Sequence, residues 1–264
     1  MVSLKLLSLF LPSLATATTL LSDPALIAKR NTTLPTKFGI LLYPGYTALD
    51  VFGPLESINI YGQAHTIDLY LIAATLDPIS TNNVFTTASN STSYFSVLPT
   101  HTFATAPQLD VLLIPGGIGE VLVDEPLQPA VDYVASIFPS LQYFLTVCSG
   151  SGLAARAGVL DGKYATTNKQ VWDLTVAKGK KTKWVGKARW VIDGKIWTSS
   201  GVQAGMDLMY AFVGEVWGKE FAVSSAQGME YLPNVDARRD PFAEVHGVSS
   251  VYDDLVMEDG RIKE

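Results

Sequence analysis

Leu145-Thr146-Val147-Cys148-Ser149-Gly150-Ser151-Gly152-Leu153-Ala154-Ala155 is the stretch that decides the fold. It opens as the end of a buried strand, since Tyr143 to Val147 is β-branched or aromatic almost throughout. It continues as a helix, with small residues first and then Leu153, Ala154, Ala155 and Val159 on an apolar stripe. The only cysteine of the chain, Cys148, sits on the turn between them. A side chain on a sharp strand-to-helix turn is presented at the carboxyl edge of a parallel sheet. There a helix N-terminus favours an anion, and the following N–H groups point at the same place. Gly150, Ser151 and Gly152 allow the turn to be tight and a ligand to come close. Two readings of Cys148 stand side by side: a nucleophile, or a small, buried, inert apolar residue.

Outward from this turn, the chain alternates strands and helices. Phe38 to Tyr43 reads as a first strand closed by Pro44-Gly45, and a helix follows with Thr47 as cap and Leu49, Val51, Phe52 and Leu55 as apolar positions. Gly53-Pro54 is expected to bend or restart that helix. Thr66 to Ala74 is a second strand, residues 79–105 form hairpins or an excursion at the sheet edge, and Asp110 to Pro115 is a third strand ended by Gly116-Gly117. Pro129 to Phe138 is an amphipathic helix leading into the cysteine strand. Short turns between such elements indicate a parallel, doubly wound sheet. Beyond the cysteine turn, Ala165 to Asn168 is short and extended and Gln170 to Ala177 is helical. Ala188–Ile192 and Lys195–Thr198 flank Asp193-Gly194 as a hairpin. Helices are expected at 205–217 and 221–231, and the tail after His246 has no assigned structure.

The chain has 264 residues, 48% hydrophobic and 17% charged, which suits one globular domain with a large core. A formal charge of −6 argues against nucleic acid as the partner. One cysteine and three scattered histidines, His65, His101 and His246, leave no spacing suited to a zinc site, so no metal is expected. Lys5, the apolar run Leu6–Leu14 and Ala15-Thr16-Ala17 read as a signal peptide over residues 1–17, too short to span a membrane. Secretion is therefore expected. Residues 18–36 read as a pro-segment or linker carrying the dibasic pair Lys29-Arg30, residues 37–232 as the α/β domain, and residues 233–264 as a C-terminal extension. Asn31-Thr32-Thr33 and Asn90-Ser91-Thr92 are N-glycosylation acceptors. In an oxidising compartment a lone thiol is either buried or has a task.

Loops 44–54, 115–119 and 148–152 would converge at the carboxyl ends of the strands. The first carries Asp50, either a match to its helix dipole or a carboxyl that shares a proton with Cys148 as general acid and base. Glu56 follows six residues on, far around an ideal helix, so both acids are not expected to face the thiol. Gly116-Gly117 is an ordinary turn, or it offers an N–H that joins the Ser149 N–H in stabilising an anion.

Together, Tyr43-Pro44-Gly45, Leu49-Asp50, Gly53-Pro54, Ile114-Pro115-Gly116-Gly117, Val147-Cys148-Ser149-Gly150, Leu160-Asp161-Gly162 and Ala165-Thr166-Thr167 resemble the ThiJ/PfpI superfamily. This is a branch of the class I glutamine amidotransferase-like fold, and the resemblance runs from about Phe38 to Tyr231. It implies a single-domain α/β fold, a flavodoxin-like doubly wound sandwich with a mostly parallel sheet. It further implies a homodimer without cofactor, with Cys148 as nucleophile and Asp50 as its acidic partner. Within the superfamily the chain resembles the isocyanide hydratase branch, with Asp rather than Glu at position 50, a hydroxyl residue at Ser149, and the run Ser199 to Asp207. That resemblance implies hydration of an isocyanide to an N-substituted formamide. Gly116, Gly117 and Ser149 would hold the intermediate, with Thr167 and Asn168 in the pocket. Members with a Cys-His arrangement have histidine where this chain has Asn168, which can hydrogen-bond but not titrate. The alternatives are a glyoxalase or deglycase acting on small dicarbonyls, and a non-catalytic member whose Cys148 senses oxidants as a sulfinic acid.

Overall fold

The computed structural model describes residues 33–122 and 125–263. The expected signal peptide, the Lys29-Arg30 pair and the Asn31 acceptor lie outside them. The strands in chain order are β1 (Lys37–Leu41), β2 (Asp68–Ala73), β3 (Ile79–Ser80), β4 (Ser96–Val97), β5 (His101–Thr102) and β6 (Val111–Ile114). They continue as β7 (Tyr143–Thr146), β8 (Tyr164–Ala165), β9 (Lys183–Trp184), β10 (Trp190–Asp193), β11 (Ile196–Ser199), β12 (Met257–Glu258) and β13 (Arg261–Ile262). Nine of them form the main sheet in the order β12-β13-β10-β11-β7-β6-β1-β2-β5. Pairing is parallel from β11 through β7, β6, β1 and β2 to β5, and antiparallel in the β10–β11 and β12–β13 hairpins. The β10–β11 turn carries Gly194 at φ +60°, as the Asp-Gly signal requires.

Central parallel strands are covered on both faces, so they read as unbroken apolar runs rather than alternating ones. All four residues of β6 are buried, as are Phe38, Ile40 and Leu41 of β1 and Phe144 and Leu145 of β7. Each fully buried aliphatic or aromatic side chain of this kind contributes roughly 1.5–3 kcal/mol. The helices in chain order are α1 (Ala48–Gly62), α2 (Val84–Ala88), α3 (Ile118–Leu122), α4 (Gln128–Ile137), α5 (Gly150–Arg156), α6 (Trp172–Val176), α7 (Val202–Val216), α8 (Lys219–Gly228) and α9 (Pro241–Val245). The mostly parallel sheet with flanking helices is the flavodoxin-like arrangement the sequence implies.

Two expectations for the first helix are corrected: a restart at Gly53-Pro54 and a cap by the Thr47 side chain. Helix α1 runs unbroken through Gly53-Pro54. Proline removes one donor, the one that would have met the Asp50 carbonyl four residues back, but the helix retains its other bonds and buries Pro54. Thr47 stands at the N-cap, yet its side chain caps nothing, and its N–H donates to the Gly116 carbonyl at 2.8 Å.

The expected excursion at 79–105 is the two-stranded β3–β4 pair enclosing α2, after which β5 returns to the main sheet beside β2. The tail is ordered. Residues 234–263 belong to the same compact unit as Pro35–Met209, with α9 near their start and β13 pairing in parallel with β10. Tyr210–Pro233 belongs to a second compact unit. In it Trp217 packs edge-on against Phe212 and Phe221, with ring centroids 6.4 and 6.1 Å away. Among the described residues no helix is long and apolar enough to cross a membrane.

Candidate active site

The sheet reverses direction of growth at β1. Its chain successor β2 lies on one side and β6 on the other. Loops leaving the carboxyl ends of β1 and β6 therefore diverge across a crevice, the place where open α/β sheets hold ligands. Here the two loops are stitched together. Tyr46 and Gly117 form a bridge, and the Gly119 N–H donates to the Gly45 carbonyl at 3.2 Å. A Cβ at Gly117 would lie 2.3 Å from the Gly45 oxygen, and one at Gly119 would lie 1.9 Å from the Pro44 oxygen. Only glycine permits this approach.

Next along the sheet, β7 delivers Cys148 into the same crevice. The cysteine has φ +58°, a left-handed conformation that strains any residue with a Cβ by roughly 1–2 kcal/mol. The surroundings hold it there. Its N–H donates to the Ser200 carbonyl at 2.9 Å, and its carbonyl accepts from Thr167 Oγ1 at 3.0 Å and Ser151 Oγ at 3.4 Å. Gly116 makes room for the elbow, since a Cβ there would stand 2.8 Å from Cys148 Cβ and 2.6 Å from the Ser149 nitrogen. The strand-turn-helix expected from residues 143–155 is thus a nucleophile elbow in geometry.

Asp50 lies on the first turn of α1, fully buried. Its Oδ2 accepts the Gly116 N–H at 2.9 Å, and its carboxyl is hydrogen-bonded with the Cys148 thiol. Among the described residues no N–H or O–H donor reaches Oδ1. Burial dominates its titration and pushes it up to about 7, against the pull of the Gly116 N–H and of the thiol. The thiol moves up too, first through burial and then through the Asp50 charge, while Asn168 and the Ser149 N–H draw it back. Below about 7 both groups keep their protons, and above it the carboxyl has given up its own while the thiol, pushed higher, keeps one for the pair. Such a pair can give a proton and take it back within one reaction.

Asn168 follows β8, and its Nδ2 donates to Cys148 Sγ at 3.1 Å. The Gln170 N–H donates to Asn168 Oδ1 at 2.8 Å, which fixes the amide with its NH2 toward sulfur. Thr167, beside it, grips the Cys148 backbone rather than facing the crevice. Ser149 sends its N–H to the sulfur, and its hydroxyl accepts the Gly117 N–H at 3.0 Å. The expected pairing of the Gly117 and Ser149 N–H groups on one anion therefore differs from the resting arrangement, in which both Gly116 and Gly117 donate to side chains. Glu56 is exposed and away from the thiol, as the helix geometry requires, and Asn90 is exposed in the turn after α2 at φ +52°.

Two residues beside the site, Tyr43 and Glu120, escaped the sequence reading as site residues. The Tyr43 hydroxyl donates to the Pro115 carbonyl at 2.7 Å, and its pKa is raised by burial first and then by the charges of Glu120, Asp50 and Cys148. Glu120 on α3 is fully buried, ion-paired with Lys178 at 3.0 Å, and so close to the elbow helix that a Cβ on Gly152 would meet its Oε1 at 2.3 Å. Tyr43 reads as the end of the first strand, and Glu120 is not singled out. An apolar strand ending Tyr-Pro-Gly, with an acid just after Gly-Gly, was the signal available.

Residues 36–215 match the DJ-1/PfpI family. The chain is 30% identical over 199 residues to the isonitrile hydratase of Pseudomonas putida, across 75% of this chain and 79% of that protein. Among solved structures it is similar to a THiJ/PfpI family protein from Pseudomonas syringae, with 29% identity, a TM-score of 0.63, and 81% of this chain and 84% of that one covered. Drosophila melanogaster DJ-1beta shares the fold at 18% identity and a TM-score of 0.58, over 75% of this chain and 100% of that one. A family match over most of the chain, on the strand order and elbow described above, has one meaning: this protein belongs to the DJ-1/PfpI family.

Proposed function

We propose that the protein is a cysteine-dependent, cofactor-free hydratase that converts an isocyanide to an N-substituted formamide. The observation that carries the reading is the buried Asp50–Cys148 pair, with Asp50 poised at about 7 and a non-titrating amide on the far side of the sulfur. The kinship to a protein named isonitrile hydratase supports it.

An isocyanide carbon accepts a nucleophile and then needs a proton on the same atom. As the Sγ–carbon bond forms, Asp50 takes the thiol proton and returns it to that carbon, leaving an S-linked thioimidate. Water adds across the C=N bond, carbon taking the hydroxyl and nitrogen the proton, with Asp50 as relay. The C–S bond then breaks, the hydroxyl proton goes to sulfur, and the formamide leaves. Asn168 Nδ2 and the Ser149 N–H lie on the sulfur and favour its anionic character as that bond is made and broken. The dicarbonyl reading is disfavoured by the amide at Asn168, which stands where a Cys-His arrangement would have its titrating imidazole.

We also propose that the enzyme is secreted through residues 1–17, carries glycan at Asn31 and Asn90, and works as a homodimer. N-terminal sequencing of the secreted form, its mass before and after glycosidase, and its sedimentation check these three points.

The test of the chemistry is turnover of an aromatic isocyanide, followed as formamide. Cys148→Ala and Asp50→Asn are both expected to abolish it with circular dichroism unchanged. Turnover that survives Asp50→Asn removes the carboxylate from its role, and wild-type protein that makes no formamide removes the hydratase reading.

A further inference from the structure

We infer that Lys169 is a positioning residue for the thiol, held by the C-terminal segment and acting through Asn168. The inference rests on the reading of Cys148 as nucleophile. The Lys169 ammonium is buried beneath the run that grips the elbow. It donates to Thr166 Oγ1 at 2.7 Å, to the Thr167 carbonyl at 3.0 Å and to the Ala188 carbonyl at 3.0 Å. Thr167 holds the Cys148 carbonyl and Asn168 holds its sulfur, so one cation ties down the backbone of both contacts.

The counter-ion comes from the tail. Asp240, the N-cap of α9, lies 3.6 Å from Lys169, and their side chains are 0% and 1% exposed respectively. Asp240 lies beyond residues 36–215, which match the family, so this anchor is added by the segment that follows. Arg189 stands 4.0 Å from Asp240 and is itself paired with Asp207 at 2.5 Å. A buried ammonium with three oxygen acceptors and a carboxylate is fully engaged, and removing either partner of such a pair disturbs what it holds. Burial draws Lys169 down to about 8, Asp240 and Asp253 pull it back up, and Arg189 opposes them. The charge facing the thiol itself comes from Asp50 on α1, with Tyr43, two residues past β1, nearby. Lys169 thus reaches the sulfur through Asn168 and not by its own field.

Alkylation of Cys148 by iodoacetamide, followed by mass spectrometry across pH, tests this without any assumption about the substrate. Lys169→Met is expected to slow alkylation at pH 8 about tenfold and to move the profile to higher pH, the same direction expected of Asn168→Ala. The double variant is expected to fall no further than Asn168→Ala alone, because both act on one hydrogen bond. Asp240→Asn is expected to shift the profile in the same direction by less, and it carries the test by the same criteria if Lys169→Met fails to fold. A Lys169→Met protein that melts earlier but keeps the wild-type profile overturns the inference, and so do additive effects in the double variant. Wild-type Cys148 that resists alkylation at every pH removes the nucleophile reading itself, an outcome distinct from both.

Discussion

Asn168 Nδ2 lies 3.1 Å from Cys148 Sγ while Asn168 Oδ1 accepts the Gln170 N–H, so the amide has one orientation and only its donor side meets the thiol. Hydrogen bonds to a charged group are worth roughly 1.5–3 kcal/mol. Asn168→Ala is therefore expected to slow thiolate-dependent alkylation at least tenfold near pH 8. Asn168→Asp should slow it more, because a carboxylate there repels the thiolate. Rates for Asn168→Asp equal to wild type would show that the amide donor does not matter.

Asp50 makes folding pH-dependent in a calculable direction. The folded carboxyl keeps its proton up to about 7 and the unfolded one only to about 3.8. Between these values the native state binds more protons, so stability falls as pH rises, by about 4 kcal/mol in all, and this contribution is flat outside the window. Asp50→Asn keeps an oxygen for the Gly116 N–H and removes the penalty. Its melting temperature should pull above wild type progressively from pH 4 to 7 and stay above at pH 8. A gap that does not change with pH would locate the cost elsewhere.

Gly116 is where two backbones and the elbow touch. A methyl there meets Ser149 N at 2.6 Å, Cys148 Cβ at 2.8 Å and Ser149 Oγ at 2.8 Å, and backbone atoms do not swing aside. Gly116→Ala is expected to destabilise by about 1–3 kcal/mol and to break the Gly116 N–H bond to Asp50. Urea unfolding together with the pH profile of alkylation measures both effects.

Strain at Cys148 inverts an ordinary rule. Alanine usually outperforms glycine in stability, but at φ +58° glycine carries no steric penalty. Cys148→Gly should therefore be more stable than Cys148→Ala, by about 1 kcal/mol, in thermal denaturation. The reverse order would mean that the elbow relaxes once sulfur is gone.

What the sequence tells, and what it withholds, follows from range. Strands β1, β6 and β7 are legible because strands buried on both faces must be apolar without interruption, and the Asp193-Gly194 hairpin because its turn type demands those residues. Cys148 is legible as the chain's one cysteine on a strand-to-helix turn, and Asp50 as the acid that follows the first strand. The hydrogen-bond partners are not. Nothing local says that the Gly117 N–H meets the Ser149 hydroxyl 32 residues on, or that Asp253 accepts the Gly186 N–H across 67 residues. The tail has no periodic pattern because its order comes from such long-range contacts rather than from propensity. Pro54 marks the opposite limit, a strong local rule overridden by the packing of a long helix.

Both borders of the main sheet are formed by strands of two residues, β5 at one side and β12 at the other. A nine-stranded sheet with long free borders would template the addition of a neighbour's strand, the first step toward aggregates. Here each border presents only a couple of backbone groups, and β12 adds Glu258, paired with Lys263. The C-terminal hairpin is thus a guard against edge-to-edge association, and trimming it should make the protein precipitate at concentrations where the full chain remains in solution.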